Sequence, residues 1–214
     1  MKQTSLILFI ALISFTGCSQ TSNQKNKVSQ HVGGHCEGCE AIYESPVALE
    51  KLSNTITLPD YNEKGPRIEI SGIVYNRDGK TPAKDVVIYV YHTDQTGHYS
   101  GKGNETGWGK RHGYIRGWLK TNERGEYKFY TLSPAAYPER KAPQHIHVTI
   151  KEPDKNEYYL DSYLFDDDPL LLPDERARNK NIGGDGIVRL RSENGIWKAK
   201  RDIILGLHVQ DYPK

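Results

Sequence analysis

Two histidines separated by a single residue, His145 and His147, lie in an apolar run that reads as a strand. Side chains of extended backbone alternate between faces, so both imidazoles leave on one side and Ile146 on the other. One strand therefore offers two nitrogen ligands on a common face, although a His-x-His pair alone is equally compatible with an ordinary strand. Three other groups have chemical potential. Cys36 and Cys39 follow His35 at the spacing of a small disulfide loop, with free thiols or metal binding as the alternatives. Asp166, Asp167 and Asp168 could hold a hard cation, but a solvated turn before Pro169 is the simpler reading. Trp108, Trp118 and Tyr114 could wall an aromatic pocket, with core packing favoured for Trp118.

The elements that must position these groups are short, strand-like and separated by turn residues. Strands are predicted at Arg67 to Tyr75, Val86 to His92, Tyr114 to Lys120, Glu126 to Leu132, Gln144 to Ile150, Tyr158 to Phe165, Ile187 to Leu190 and Trp197 to Leu205. Thr121 to Gly125 is a polar connection ending in glycine, which predicts a hairpin between the strands on either side. No stretch has sustained helical periodicity, and a short helical turn is expected between Leu170 and Asn179. The pattern is that of an all-β protein, an immunoglobulin-like β-sandwich in one domain.

Fourteen tyrosines against four phenylalanines and one methionine supply β-favouring aromatic surface and many phenolic oxygens. Lys and Arg total 29 against 27 Asp and Glu, and a net charge of +2 gives no electrostatic footprint for nucleic acid. Residues 1–17 have the layout of an export signal: Lys2, an apolar run from Leu6 to Phe15, then Thr16 and Gly17. Phe15-Thr16-Gly17-Cys18 resembles a lipobox, which would make Cys18 a lipidated N-terminus and the protein an extracytoplasmic, membrane-anchored lipoprotein in the periplasm or outer membrane. The expected organisation is a signal peptide at 1–17, a lipid-anchored tether and arm at 18–60 and the sandwich domain at 61–214. Both a monomer and a homo-oligomer are compatible with this composition.

Several pieces of the sequence, in order, resemble the intradiol ring-cleavage dioxygenases, the group that includes protocatechuate 3,4-dioxygenase and catechol 1,2-dioxygenase. They are Gly72-x-Val74 with Gly79, Asp94-x-x-Gly97-x-Tyr99, Arg116-Gly117, the Gly125 turn, Pro134-x-x-Tyr137-Pro138 and Pro143-x-His145-Ile146-His147. The resemblance implies a β-sandwich with a non-haem Fe(III) cofactor held by Tyr99, Tyr137, His145 and His147. It further implies that a catechol-type aromatic diol is cleaved by O2 to a muconate-type dicarboxylate, with Tyr137 as both displaced ligand and base. The ligand types make chemical sense, since a tyrosine of pKa about 10 becomes an anion at neutral pH only beside a cation, and hard phenolate oxygen suits ferric iron. Where many relatives carry arginine before the Pro-x-His-Ile-His motif, this chain has Ala142. Arg116 is the first candidate for the missing catalytic cation, with Arg111, Arg140 and Lys141 as others, and Ser162 stands where relatives have Gln. The alternative reading is a non-catalytic extracytoplasmic module that binds iron, a catechol-bearing ligand or carbohydrate on the same sandwich.

Overall fold

The computed structural model describes residues 31–139 and 141–214. The expected signal segment, Cys18, the first part of the tether and Arg140 lie outside the described residues. The strands are β1 (Thr55–Thr57), β2 (Arg67–Tyr75), β3 (Val87–Tyr91), β4 (Arg116–Lys120), β5 (Glu126–Leu132), β6 (His145–Lys151), β7 (Glu157–Tyr159), β8 (Tyr163–Phe165), β9 (Ile187–Val188), β10 (Arg191–Glu193), β11 (Ile196–Lys200) and β12 (Ile203–Ile204). Among the described residues, helix is confined to α1 (Gly109–His112), α2 (Pro173–Arg178) and 3-10 turns at Cys39–Glu44 and Leu49–Lys51.

The strands form two sheets, one in the order β1-β5-β2-β11-β10 with β12 also on β2, the other β4-β3-β6-β8-β9 with β7 also on β6. Their inner faces meet in a core of Ile68, Ile70 and Phe129 from the first sheet and Ile88, Val90, Ile146, Val148 and Ile150 from the second. This is the all-β sandwich that the alternating residues call for. On β3 the opposite set, Val87 and Tyr89, is buried as well, because Ala41, Ile42 and Trp118 form a second apolar cluster on the outer face of that sheet. The stretch expected as an arm is therefore structural from residue 31 on: Val32, Cys39, Ala41, Ile42 and Leu58 are all buried, and β1 adds a parallel strand to β5.

The turn predicted at Thr121–Gly125 is present, but it does not make a hairpin. The strands on either side do not pair: β4 lies on β3 and β5 lies on β2, so the turn carries the chain from one sheet to the other. Asn122 makes the reversal by accepting the amides of Arg124 and Glu126. Thr121 then ties the turn to the strand before it, accepting the Val86 amide at 3.0 Å and donating to the Ala83 carbonyl at 2.8 Å, both in buried surroundings. Thr121→Val keeps the shape and removes both bonds; denaturant unfolding is expected to show a loss of about 1–3 kcal/mol for the stranded amide.

Two long predicted strands are each broken in two. Between β7 and β8 the carboxylate of Asp161 turns to the Ile182 amide, and between β11 and β12 that of Asp202 takes the Ile73 amide. The acidic run 166–168 does form a turn, with Asp167 exposed, but its other two carboxylates are engaged. Asp166 pairs with Arg176 and Arg189, and Asp168 is buried, accepting the amides of Gln144 and Leu170. Asp168 thereby anchors the start of β6, the strand that carries both histidines.

Candidate metal centre

His145 and His147 project from the outer face of β6, opposite Ile146 and Val148 in the core. The register places His147 directly across from Tyr91 on β3. Two loops fold over this end of the sheet. The first, 93–100, is shaped by Asp94, whose carboxylate collects Ser100, Thr96 and the amides of Thr96 and His98. Burial alone would raise that carboxyl, yet these hydrogen bonds overcome it and hold it down at about 2, so it is a fixed anion that sets the loop. The second, 133–139, is sewn to the first: Thr93 donates to the Ala135 carbonyl at 2.7 Å, Gln95 to the Ser133 carbonyl at 2.6 Å, and the Ala135 amide to Asp94. Gly97 is required at the seam, since its φ is +81° and a Cβ would fall 2.2 Å from the Ala136 carbonyl oxygen.

These loops deliver Tyr99 and Tyr137 to the histidines. The hydroxyl of Tyr99 is 2.7 Å from that of Tyr137 and 2.8 Å from Nε2 of His147; Tyr137 is 3.1 Å from Nε2 of His145, and the two Nε2 atoms are 3.2 Å apart. Four donor atoms thus close on one point. An ion bonded at about 2.0–2.1 Å to neighbours subtending 90–110° would set them about 2.8–3.4 Å apart, and three of these four edges fall in that range, with the Tyr99–Tyr137 edge just below it. The tautomer agrees as well. Nδ1 of His145 is 2.8 Å from the Pro143 carbonyl oxygen, which can only accept, so Nε2 carries a bare lone pair aimed at the centre. Burial holds His145 below the usual imidazole range and His147 well below it, and burial followed by the Tyr137 contact raises Tyr99. Without a cation the set is neutral; a metal would convert the phenols to anions. The donor set therefore fits a hard metal ion such as ferric iron.

His147 is held from behind by a column of rings. Tyr91 stacks on it with centroids 4.5 Å apart, His112 on Tyr91 at 3.8 Å, and Trp108 on His112 at 5.5 Å. Tyr89 adds a hydroxyl 2.9 Å from Nδ1 of His112. Beside this column, and bounded by Tyr99, Tyr137 and His147, opens a cavity of about 330 Å³ whose far wall is Trp108, Arg111 and Glu37. That volume accommodates a single small aromatic ring. Trp108 lines it, whereas Trp118 is packed with its indole N–H on the Ala41 carbonyl and Tyr114 lies elsewhere.

Arg116, carried over as the candidate catalytic cation, is not in this cavity. Glu44 takes it at 2.7 Å, and its guanidinium lies over Trp118. The cation that does line the cavity is Arg111, ion-paired with Glu37. Lys141 is exposed and outside it. Ser162 approaches Nδ1 of His147 at 3.5 Å. Cys36 and Cys39 are joined as a disulfide, with Cα atoms 5.6 Å apart, and the loop they close packs against His112 and Trp108. Glu37 and Glu44, both on the N-terminal arm, were not singled out from sequence; only their partners, 74 and 72 residues away, give them meaning.

Comparison with known proteins places this geometry in context. A family model described as dioxygenase matches residues 43–183, more than half of the chain. Among solved structures, the dioxygenase domain of a dioxygenase and carbohydrate-binding protein fusion from Streptomyces sp. SirexAA-E aligns with a TM-score of 0.54 and 21% identity over 70% of this chain and 85% of that one. An intradiol ring-cleavage dioxygenase from Tetranychus urticae aligns with 0.52 and 18% over 75% and 90%. A catechol 1,2-dioxygenase from Acinetobacter sp. ADP1 aligns with 0.52 and 15% over 71% of this chain but only 56% of its own length. At such identities the structural likeness is one of fold. No curated protein matches the sequence.

Proposed function

The chain belongs to the intradiol ring-cleavage dioxygenase family, and from that premise we propose that it is an Fe(III)-dependent enzyme that cleaves a catechol-type aromatic diol with O2 to a muconate-type dicarboxylate. The observation that carries this reading is the convergence of Tyr99, Tyr137, His145 and His147 through contacts of 2.7–3.2 Å. Ferric iron held there would supply an electrophilic centre that two adjacent phenolic oxygens can chelate.

The chain's own residues supply the rest. The Pro143 carbonyl turns the lone pair of His145 Nε2 toward the centre, and burial lowers both imidazoles, which favours the neutral, ligating form. Tyr99 sits on the loop that Asp94 fixes, which suits a permanent ligand. Tyr137 lies on irregular backbone facing the cavity, so it is the phenol placed to let go and to receive a proton from a substrate hydroxyl. Trp108 and Tyr91 give the ring an aromatic wall.

We also propose that the protein works outside the cytoplasm, tethered through Cys18. The lipobox-like sequence supports this, and the Cys36–Cys39 disulfide fits an oxidising compartment.

The test is spectroscopic. Protein starting after Cys18, loaded with iron, is expected to show a visible tyrosinate-to-iron charge-transfer band that changes when catechol is added without O2, and to consume catechol when O2 is admitted. Tyr137→Phe should weaken the band and blunt its response to catechol. A band and response identical to the parent's would refute the role assigned to Tyr137, and absence of any band in the parent would refute the iron reading.

A further inference from the structure

We propose that Arg111 is the specificity-determining residue of the cavity, binding an anionic ring substituent of the diol from a position set by Glu37 on the disulfide-closed loop. The inference rests on the diol-cleavage reading above and extends it to a substrate class, catechols that carry a carboxylate.

Tyr99, Tyr137 and His147 line the cavity at the His147 end of the ring column and Trp108, with Arg111 over it, stands three rings along, so the two oxygens of a bound diol face the former end. The opposite edge of a ring then points to Trp108, Arg111 and Glu37. Among the described residues that line the cavity, Arg111 is the one guanidinium or ammonium group, since Glu44 removes Arg116. Its plane is oriented by the Trp108 face, 5.4 Å from the guanidinium carbon. A guanidinium so presented matches a carboxylate through two parallel hydrogen bonds, which an ammonium cannot do.

Glu37 explains how that cation is kept ready. The disulfide closes the loop Cys36–Cys39, and Gly38, at φ +83°, lies so close that a Cβ there would sit 2.9 Å from Nε2 of His112. This packing pins Glu37 opposite Arg111. Both side chains are 63% exposed, and an ion pair so hydrated is weak. An incoming carboxylate can therefore replace Glu37, which stays solvated when released. The pair holds Arg111 in place without the cost of stranding a charge.

Calorimetric titration of the iron-loaded protein without O2, using 3,4-dihydroxybenzoate and catechol as probes, tests this. The parent is expected to favour 3,4-dihydroxybenzoate by about tenfold, the scale of one charge-assisted contact. Arg111→Gln should bring the ratio of affinities close to one, and Glu37→Gln, which removes the competing carboxylate, should keep or increase it. A parent with no preference, failure to bind either probe, or a ratio that survives Arg111→Gln would overturn the proposal. The resting visible band, recorded on the same samples, reports the Tyr and His ligands and not this wall. Its absence would bring down the iron reading, while the affinity ratio still judges Arg111.

Discussion

His147→Ala is expected to abolish stoichiometric iron binding: after dialysis against a chelator the variant should retain little metal and no visible charge-transfer band. The imidazole contacts Tyr99 at 2.8 Å and lies 3.2 Å from the other ring nitrogen, so it closes the donor set from the side of the sheet. No neighbour can replace it. The Tyr91 ring is stacked parallel to it, its plane turned by 17°, and so presents a face where the lost nitrogen was. Loss of a residue that merely orients a metal ligand costs about 10–100-fold in affinity, and loss of the ligand itself should exceed that. His98→Ala is the control, because His98 is exposed and bonds Thr96, although it is the immediate neighbour of Tyr99. Full iron content in His147→Ala, or equal loss in both variants, would sink the assignment of His147.

The common face of the two histidines is legible in the sequence, and the reason is local geometry. A strand has a fixed two-residue period, so His145-Ile146-His147 in an apolar run has only one way to present its imidazoles. Strands β2 and β5 were legible for the same reason. What could not be read was every decision made by a distant partner. Asn122 and Gly125 announce that the chain reverses, but not that it changes sheets as it does so. Which cation lines the cavity depends on such a partner: Arg116 carries the family motif but pairs with Glu44, 72 residues away in a stretch without strand alternation. That same stretch reads as a tether because its contribution is a few scattered apolar residues. Only the bare outer face of β3 shows why Ala41 and Ile42 must be there.

The largest stability effect is expected at a buried trio whose members, Asp60, His92 and Thr131, are far apart in sequence. Oγ1 of Thr131 is 2.7 Å from Nε2 of His92 and 2.8 Å from Oδ1 of Asp60, and Nδ1 of His92 is 2.8 Å from the Thr93 carbonyl oxygen. Nδ1 must therefore hold a proton, and the two contacts of Thr131 need two more, of which its hydroxyl has one. The remaining proton belongs to His92 or Asp60; at either end the trio carries one titratable proton and no net charge. Burial raises Asp60 and lowers His92, directions that favour the uncharged arrangement. Asp60→Ala leaves Thr131 and the Leu132 amide without their partner, at a cost of about 1–3 kcal/mol for each group. Asp60→Asn should cost far less, because the amide brings the missing proton with it. The two also differ in pH dependence. Between about pH 4 and 6.5 the unfolded chain holds one proton on these groups, as the folded trio does, and the raised Asp60 and lowered His92 offset each other. Above about pH 6.5 the unfolded chain loses that proton, and over the range in which the raised Asp60 holds it in the folded trio parent stability should fall by up to about 1.4 kcal/mol per pH unit. In Asp60→Asn that alkaline slope should vanish, and urea unfolding from pH 6 to 8.5 measures it. Equal slopes in parent and variant would show that no proton is shared among the three. The same His92 leads directly into Thr93 and Asp94, whose bonds hold the Tyr99 and Tyr137 loops together, so the trio also underpins the floor on which those two phenols stand.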